Sequence, residues 1–362
     1  MRLPEQLYVN ATNKCNYRCT YCPYHSPLWS PRLGAPGFTL RLDDLRRQLD
    51  AFADPATGGK LANVTFTGMG EPMLNPEILE MIALVKERGL TCSLTSNFSR
   101  LLTPHIDRLM DLGLDGLYTN LDSGESGHYE ELRRGASFDT TLGNIRAVIN
   151  ASALRNPKLN FEVHNLVTPQ TADLLPRFIE TVAEAGVRKV IVKTFVNFLD
   201  TDVQGKFFDH IAEERKFFDL VLACEERGKE LGVRVQYPAY FALLAGRRGY
   251  DREDPALRCS IGSCLHLNFG PLEYSEDELL GNVVYCCPIM AREGYGSFGK
   301  VGRNSGNGGD GVNAALAALA HPARRRLLDS LESLENLVSQ CRKCEYFFQG
   351  LHERYARMEA AS

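Results

Sequence analysis

Cys15, Cys19 and Cys22 stand in a C-x3-C-x2-C spacing near the start of the chain. Thiolates are the usual protein ligands of iron–sulfur clusters, and three at these offsets can wrap one cluster from a single loop, leaving the fourth iron without a protein ligand. An iron with an open position can bind and activate a small molecule. Zinc is the competing occupant, although its sites take four close protein ligands and favour paired C-x2-C units. A second set of thiols lies far downstream: Cys264, then Gly281 and Cys286 in a G-x4-C run, then Cys341 and Cys344 in a C-x2-C pair. Four thiolates suffice for a second, fully ligated cluster. A zinc ribbon is the alternative there, since C-x2-C pairs commonly bind zinc.

These residues need a frame. From the start to about residue 200, short β-rich runs alternate with helix-like stretches, which predicts parallel strands joined by crossover helices. Six strands are expected: Leu7–Thr12, Asn63–Thr67, Thr91–Asn97, Gly116–Asp122, Asn160–Thr168 and Lys189–Phe195. Asn75-Pro76 and Thr103-Pro104 supply helix caps with first-turn prolines, and Gly89, Gly113 and Gly186 stand where helices should end. The first strand runs into Cys15, which places the cysteine loop at the carboxyl edge of the sheet, where parallel α/β folds bind ligands. Tyr8/Asn10/Thr12, Ser93/Thr95/Asn97, Tyr118/Asn120/Asp122 and Asn160/Glu162/His164 each put polar residues on one strand face at period two. Strands buried on both faces should read as apolar runs instead. An open barrel with a polar lumen is therefore expected, and strand ends meeting solvent are the plainer alternative. Glu162, His164 and Lys193 are the candidate general bases, because the expected strand faces direct them inward.

Composition bounds the rest. The 362 residues are 44% hydrophobic and 24% charged, enough for one large core and a smaller appended unit. A net charge of −4 gives no basic field for a phosphate backbone, so nucleic acid is not an expected partner. No stretch approaches the roughly 18 apolar residues of a membrane span, and no basic segment followed by an apolar run opens the chain. A cytoplasmic protein without a membrane partner is expected. In that reducing setting the 11 cysteines point to metal ligation rather than disulfides. Cys92 and Cys224 read as core residues. A long helical stretch over about 206–231 precedes a change in composition, so the expected domains are 1–235 and 236–362.

The cysteine loop resembles that of the radical S-adenosylmethionine (SAM) superfamily, and the likeness extends further. Tyr21 precedes the last cysteine at the position that packs by the adenine in the family. Gly68-Met69-Gly70-Glu71-Pro72 resembles the family's Gly-Gly-Glu motif, which receives the SAM amino group. Ser96 and Asn97 fall where the family contacts the SAM ribose, and Asp122 ends the fourth strand. Tyr129-Glu130-Glu131-Leu132-Arg133-Arg134-Gly135 resembles a His-x-x-Ile-Arg-x-Gly stretch with tyrosine in place of histidine, and implies that Arg133 neutralises the SAM carboxylate. The implied fold is an α/β partial (β/α)6 barrel, with SAM and a [4Fe–4S] cluster as cofactors and a flavodoxin- or ferredoxin-like reducing partner.

The downstream order Cys264, Cys286, Cys341, Cys344 resembles the auxiliary-cluster domain called SPASM, or its shorter form, twitch, in which a β-hairpin supplies the first pair of ligands. No cysteine follows Cys344, which favours twitch and one auxiliary [4Fe–4S] cluster. Cys259 and Cys287 stay unassigned: further ligands, buried small residues, or thiol hydrogen donors. The resemblance reaches enzymes of the 2-deoxy-scyllo-inosamine dehydrogenase type, in natural-product biosynthesis. It implies oxidation of a sugar or aminocyclitol alcohol to a ketone, the auxiliary cluster taking the second electron. Epimerisation quenched by Cys259 or Cys287, decarboxylation, peptide modification and plain electron transfer are the alternatives.

Overall fold

The six expected strands all form, and most end one or two residues earlier than the pattern suggests. In the computed structural model, which describes residues 5–22, 24–27, 37–53, 61–167, 171–194, 211–237, 264–269, 281–285 and 300–302, they are β1 (Gln6–Asn10), β2 (Asn63–Phe66), β3 (Thr91–Thr95), β4 (Gly116–Asn120), β5 (Asn160–Val167) and β6 (Lys189–Thr194). They pair in sequence order, all parallel. Past the ends of β1, β3 and β4 the side chains of Thr12, Ser96, Asn97 and Asp122 bond to other segments of the chain.

The sheet is wider than six strands. β7 (Arg234–Gln236) adds a parallel strand beside β6. On the other edge β8 (Cys264–Phe269) runs parallel to β1, followed by β9 (Gly281–Tyr285) and β10 (Lys300–Gly302), both antiparallel to their neighbours. The full order is β10-β9-β8-β1-β2-β3-β4-β5-β6-β7. A three-residue strand such as β7 is too short to show periodicity, which is why the alternation missed it. β7 straddles residue 235, and β8, from the segment beyond it, hydrogen-bonds to β1.

Between the strands run α1 (Leu42–Ala53), α2 (Ile78–Glu87), α3 (Thr103–Asp111), α4 (Ser126–Leu132), α5 (Phe138–Arg155), α6 (Leu175–Glu184) and α7 (Ile211–Leu231). Alternate strand residues Leu7, Val9, Val64, Phe66, Leu94, Leu117, Val163, Val190 and Val192 are buried in one core cluster with helix residues such as Ile82, Leu109, Ile145 and Phe178. Each such side chain contributes about 1.5–3 kcal/mol through burial. Cys92 and Cys224 belong to this core, as their positions suggested. The polar residues between them take the other face.

Gly89, Gly113 and Gly186 have φ of 71°, 65° and 88°, the left-handed conformation that ends a helix. The expected caps differ. Leu102, not Thr103, caps α3, and His105 Nδ1 lies 3.3 Å from the Leu102 N–H. Asn75 lies before the cap of α2 and works as a staple: its Nδ2 donates to the carbonyls of Ala11 and Leu40, and its Oδ1 accepts from the Glu77 N–H. Among the described residues no helix is long and apolar enough to cross a membrane.

Candidate functional site

The cysteine loop leaves the carboxyl end of β1 and is fastened on two sides. Its amides at Arg18 and Thr20 donate to the carbonyls of Arg134 and Leu132 at the end of α4. Tyr17, Cys19 and Tyr21 are buried together, with Cys15, Cys22, Leu132 and Leu166 packed around them. The Tyr17 and Tyr24 N–H groups donate to Sγ of Cys15 and Cys22, both at 3.4 Å. Burial pushes the Cys15 thiol up to about 11 and the Cys22 thiol up to about 12, and raises Cys19 as well. Thiols held neutral in this way are poor nucleophiles unless a bound metal takes their protons. Among the described residues no group of three His, Cys, Asp or Glu could hold a single metal ion. The three sulfurs sit on one loop, and those of Cys15 and Cys22 receive N–H bonds, as cluster thiolates do.

The Gly68–Glu71 turn at the end of β2 is locked to this loop. Gly68 has φ 140°, and a Cβ on Gly70 would lie 2.3 Å from the Thr12 carbonyl oxygen and 2.4 Å from that of Lys14. Only glycine allows that approach. The Met69 N–H donates to Asn10 Oδ1 and the Glu71 N–H to the Lys14 carbonyl, while the Met69 carbonyl faces His25 Nε2 at 3.0 Å. Glu71 is buried; its Oε1 accepts from the Met73 N–H and the Ser96 hydroxyl, its Oε2 from the Asn97 N–H. Burial raises its pKa against those three donors. Asn97 Nδ2 donates to Asn16 Oδ1, and Asn16 Nδ2 to Ser99 Oγ. Ser96 and Asn97 thus act as ties between Glu71 and the cysteine loop.

Tyr21, Asp122 and Arg133 meet in a second buried group. Asp122 Oδ2 accepts from the Tyr21 hydroxyl and from Arg133 Nε at 2.6 Å, while Oδ1 accepts from the Leu166 N–H. Arg133 lies 5.6 Å from the Tyr21 ring centroid, within cation–π range. Burial alone would lower the guanidinium pKa, but the Asp122 charge holds it well up. Tyr21 is pushed well up by burial.

The polar face of β3 to β6 carries a continuous hydrogen-bonded network. Ser93 Oγ, Tyr118 Oη and Asn160 Nδ2 are linked at 3.4 and 3.5 Å, and Asn160 Nδ2 donates to Glu162 Oε1 at 2.8 Å. Lys189 Nζ lies 2.5 Å from Glu162 Oε1, His164 Nε2 lies 3.0 Å from Glu162 Oε2, and Lys193 Nζ lies 3.1 Å from His164 Nδ1. The Tyr118 and His164 rings stack at 5.6 Å. Burial works to raise Glu162, yet hydrogen bonds from His164, Lys189 and Asn160 prevail and hold it at about 2. An ionised Glu162 only accepts, so Nε2 of His164 carries the proton and Nδ1 accepts from the Lys193 ammonium. Burial and the Lys193 charge lower His164; burial lowers Lys193.

The structure therefore brings Cys15, Cys19, Cys22, Gly68, Gly70, Glu71, Ser96, Asn97, Tyr21, Asp122 and Arg133 into adjoining shells, with Glu162, His164 and Lys193 on the strands below. Lys189, Asn16 and His25 are participants the sequence did not single out; Lys189 shares a face with Lys193 at even spacing, which was legible. Of the expected alternating faces, Asn10 and Thr12 instead hold loops: Thr12 Oγ1 donates to the Phe38 carbonyl. Cys264 opens β8 beside Gln6 at the amino end of β1, about 13 Å along the strand from Asn10 at ~3.3 Å per residue. Cys259, Cys286, Cys287, Cys341 and Cys344 lie outside the described residues.

A parallel barrel-like sheet with three thiols of one loop at its carboxyl edge defines a class of α/β protein built to hold a cluster over a polar lumen. Residues 9–154 match the family described as the Radical SAM superfamily, so this chain carries a radical SAM domain, running from β1 into α5. The superfamily uses SAM and a [4Fe–4S] cluster. Among curated relatives, the chain is 26% identical over 215 residues to the tungsten-containing aldehyde ferredoxin oxidoreductase cofactor-modifying protein of Pyrococcus furiosus, covering 56% of this chain and 55% of that one. It is 27% identical over 234 residues to a GTP 3',8-cyclase of Limosilactobacillus fermentum, covering 63% of each. The chain thus spans less than two thirds of the length of these relatives. Among solved structures, anSMEcpe with bound AdoMet superposes with TM-score 0.63 at 16% identity, over 95% of this chain and 88% of that one. Streptococcus suis SuiB bound to S-adenosylmethionine gives TM-score 0.62 at 12% identity, over 95% and 71%. At those identities the likeness is one of fold.

Proposed function

We propose that the protein is a radical SAM oxidoreductase that converts a secondary alcohol of a small polar substrate, of the sugar or aminocyclitol kind, to a ketone. The observation that carries this reading is the hydrogen-bonded polar face from Ser93 to Lys193, lying under the loop that bears Cys15, Cys19 and Cys22. When bound, a cluster and SAM would supply a 5′-deoxyadenosyl radical able to remove a hydrogen atom from an unactivated C–H bond. The chain's own residues do the rest.

Cys15, Cys19 and Cys22 hold the cluster. Gly68, Gly70 and Glu71 with Ser96 and Asn97 shape the seat for the amino and ribose groups of SAM, and Tyr21, Asp122 and Arg133 that for its adenine and carboxylate. Arg133 keeps its Nε on Asp122, which leaves its two terminal nitrogens to meet a carboxylate. In the lumen, Glu162, His164 and Lys193 form a hydrogen-bonded relay that carries away the proton of the substrate hydroxyl. Cys264, Cys286, Cys341 and Cys344 would hold an auxiliary [4Fe–4S] cluster, which would supply an acceptor for the second electron. The β8–β9 hairpin supports this: Tyr285, which precedes Cys286, pairs with His266, two residues from Cys264. Cys259 and Cys287 are free of any role in oxidation, whereas epimerisation would require one as hydrogen donor.

The test combines iron analysis and product analysis. Reconstituted, reduced protein is expected to cleave SAM to 5′-deoxyadenosine, and substitution of Cys15, Cys19 and Cys22 by Ala together should abolish this while retaining the spectroscopic signal of a second cluster. A substrate found by screening alcohols should yield ketone and 5′-deoxyadenosine in equal amounts. Solvent deuterium appearing at the reacting carbon would overturn the oxidation in favour of epimerisation.

A further inference from the structure

Among the described residues of β5 and β6, two lysines, Lys189 and Lys193, share one carboxylate, Glu162. Lys189 and Glu162 form a close pair, and Asn160 and His164 complete the carboxylate's partners. Lys193, on the same face of β6 and half-buried, has one hydrogen-bond partner among the described residues, Nδ1 of His164. An ammonium has three N–H donors, so two remain for a ligand. Glu162 attracts the Lys193 ammonium only from beyond the neutral His164, no carboxylate among the described residues bonds to it, and a partly desolvated ammonium with unfilled donors is costly.

We propose that Lys193, aimed by the Glu162–His164 pair, is the anchor for an oxyanion on the substrate, a carboxylate or a phosphoryl group, so that the substrate is an acidic molecule. The inference rests on the reading of this face as the substrate lumen and sharpens it: an acidic sugar fits, and the ammonium of an aminocyclitol would meet a like charge. Glu162 fixes the tautomer of His164, and His164 holds Lys193 toward the lumen centre. Both are positioning residues for this contact.

The test is chemical labelling, independent of cluster and activity. The full-length protein is acetylated with trace acetic anhydride, and modification of Lys193 is followed by peptide mass spectrometry, with the exposed Lys158 as internal reference. Succinate or inorganic phosphate should slow Lys193 acetylation about threefold or more, the protection expected when two thirds of the sites are occupied. Chloride at equal ionic strength and glycerol should not, and Lys158 should be unaffected. Protection by succinate alone assigns a carboxylate, by phosphate alone a phosphoryl group, and by both an oxyanion of either kind. In a His164→Ala variant the protection should fall away while Lys193 still reacts. No protection by either anion, or equal protection by chloride, overturns the proposal. Release of 5′-deoxyadenosine by the same wild-type preparation is measured alongside: if it occurs without protection at Lys193, the anchor fails and the radical SAM reading stands.

Discussion

His164 is a neutral imidazole between an ionised Glu162 and a Lys193 ammonium, and this arrangement has a pH signature. Its folded pKa lies below the ordinary 6.5, so the unfolded chain takes up a proton first as the solution is acidified. Stability is full above pH 6.5 and is lost as pH falls through the folded value. Glu162, with its folded pKa near 2 against 4.5, adds a second loss that begins near pH 4.5. A His164→Asn variant should therefore show a flatter decline of melting temperature between pH 7 and 5 than the wild type, with the steeper decline below pH 4.5 preserved. An unchanged slope between pH 7 and 5 would show that His164 is not held neutral. Removing the carboxylate acts differently: Glu162→Gln strips the charge that Lys189 and His164 bond to and should cost about 1–3 kcal/mol at pH 7 by denaturant unfolding.

At the scale of elements, the site depends on two turns that end strands. The Gly68–Glu71 turn can lie on the cysteine loop only because Gly70 has no side chain. Gly70→Ala would drive a methyl into two backbone carbonyls, so bound iron after reconstitution should fall sharply. Gly143→Ala, on the exposed side of α5 with nothing within 4 Å of the new methyl, should instead raise stability by up to about 1 kcal/mol and leave iron content unchanged. The turn after β3 holds Phe98 at φ 62°, a strained conformation for an aromatic residue. It persists because Phe98 is fully buried, its N–H bonds Ser96 Oγ and its carbonyl accepts from Asn144. At α4 the buried Arg133–Asp122 pair joins helix to strand end. Arg133→Met leaves Asp122 buried without its cation and should cost about 3–5 kcal/mol, seen as a lower melting temperature before any cofactor is added.

Over the whole molecule, the radical SAM sheet is extended on both edges, and β1 is an interior strand rather than an edge. Its partner β8 pairs with it from Gln6↔Cys264 through Asn10↔Asn268, which covers backbone groups that would otherwise invite pairing with another chain. Leu267→Pro removes an N–H donor from the middle of that interior strand. The variant should lose melting temperature and aggregate at concentrations where the wild type does not, as read by size-exclusion chromatography. Wild-type behaviour would show that the β1–β8 pairing contributes little in solution.

The sequence by itself determined the local quantities. Six strands followed from short β-rich runs alternating with helix-like stretches, helix ends from Gly89, Gly113 and Gly186, and the cysteine loop from three thiols whose spacing only a few chemistries can use. The period-two alternation even placed Glu162 and His164 on one face, because side-chain direction along a strand depends only on parity. The tertiary structure decided which polar groups meet. Asn10, Thr12, Ser96 and Asn97 look equally suited to a ligand in one dimension, yet they bond to loops 25 to 80 residues away in the chain, and no local rule encodes that. The strands β7 and β10 were likewise hidden, being short, whereas the β8–β9 hairpin was expected only through the resemblance to the SPASM and twitch domains. Above all, that Lys189 sits against Glu162 while Lys193 bonds to His164 is a fact of distances between two strands, and the proposal of an acidic substrate rests on it.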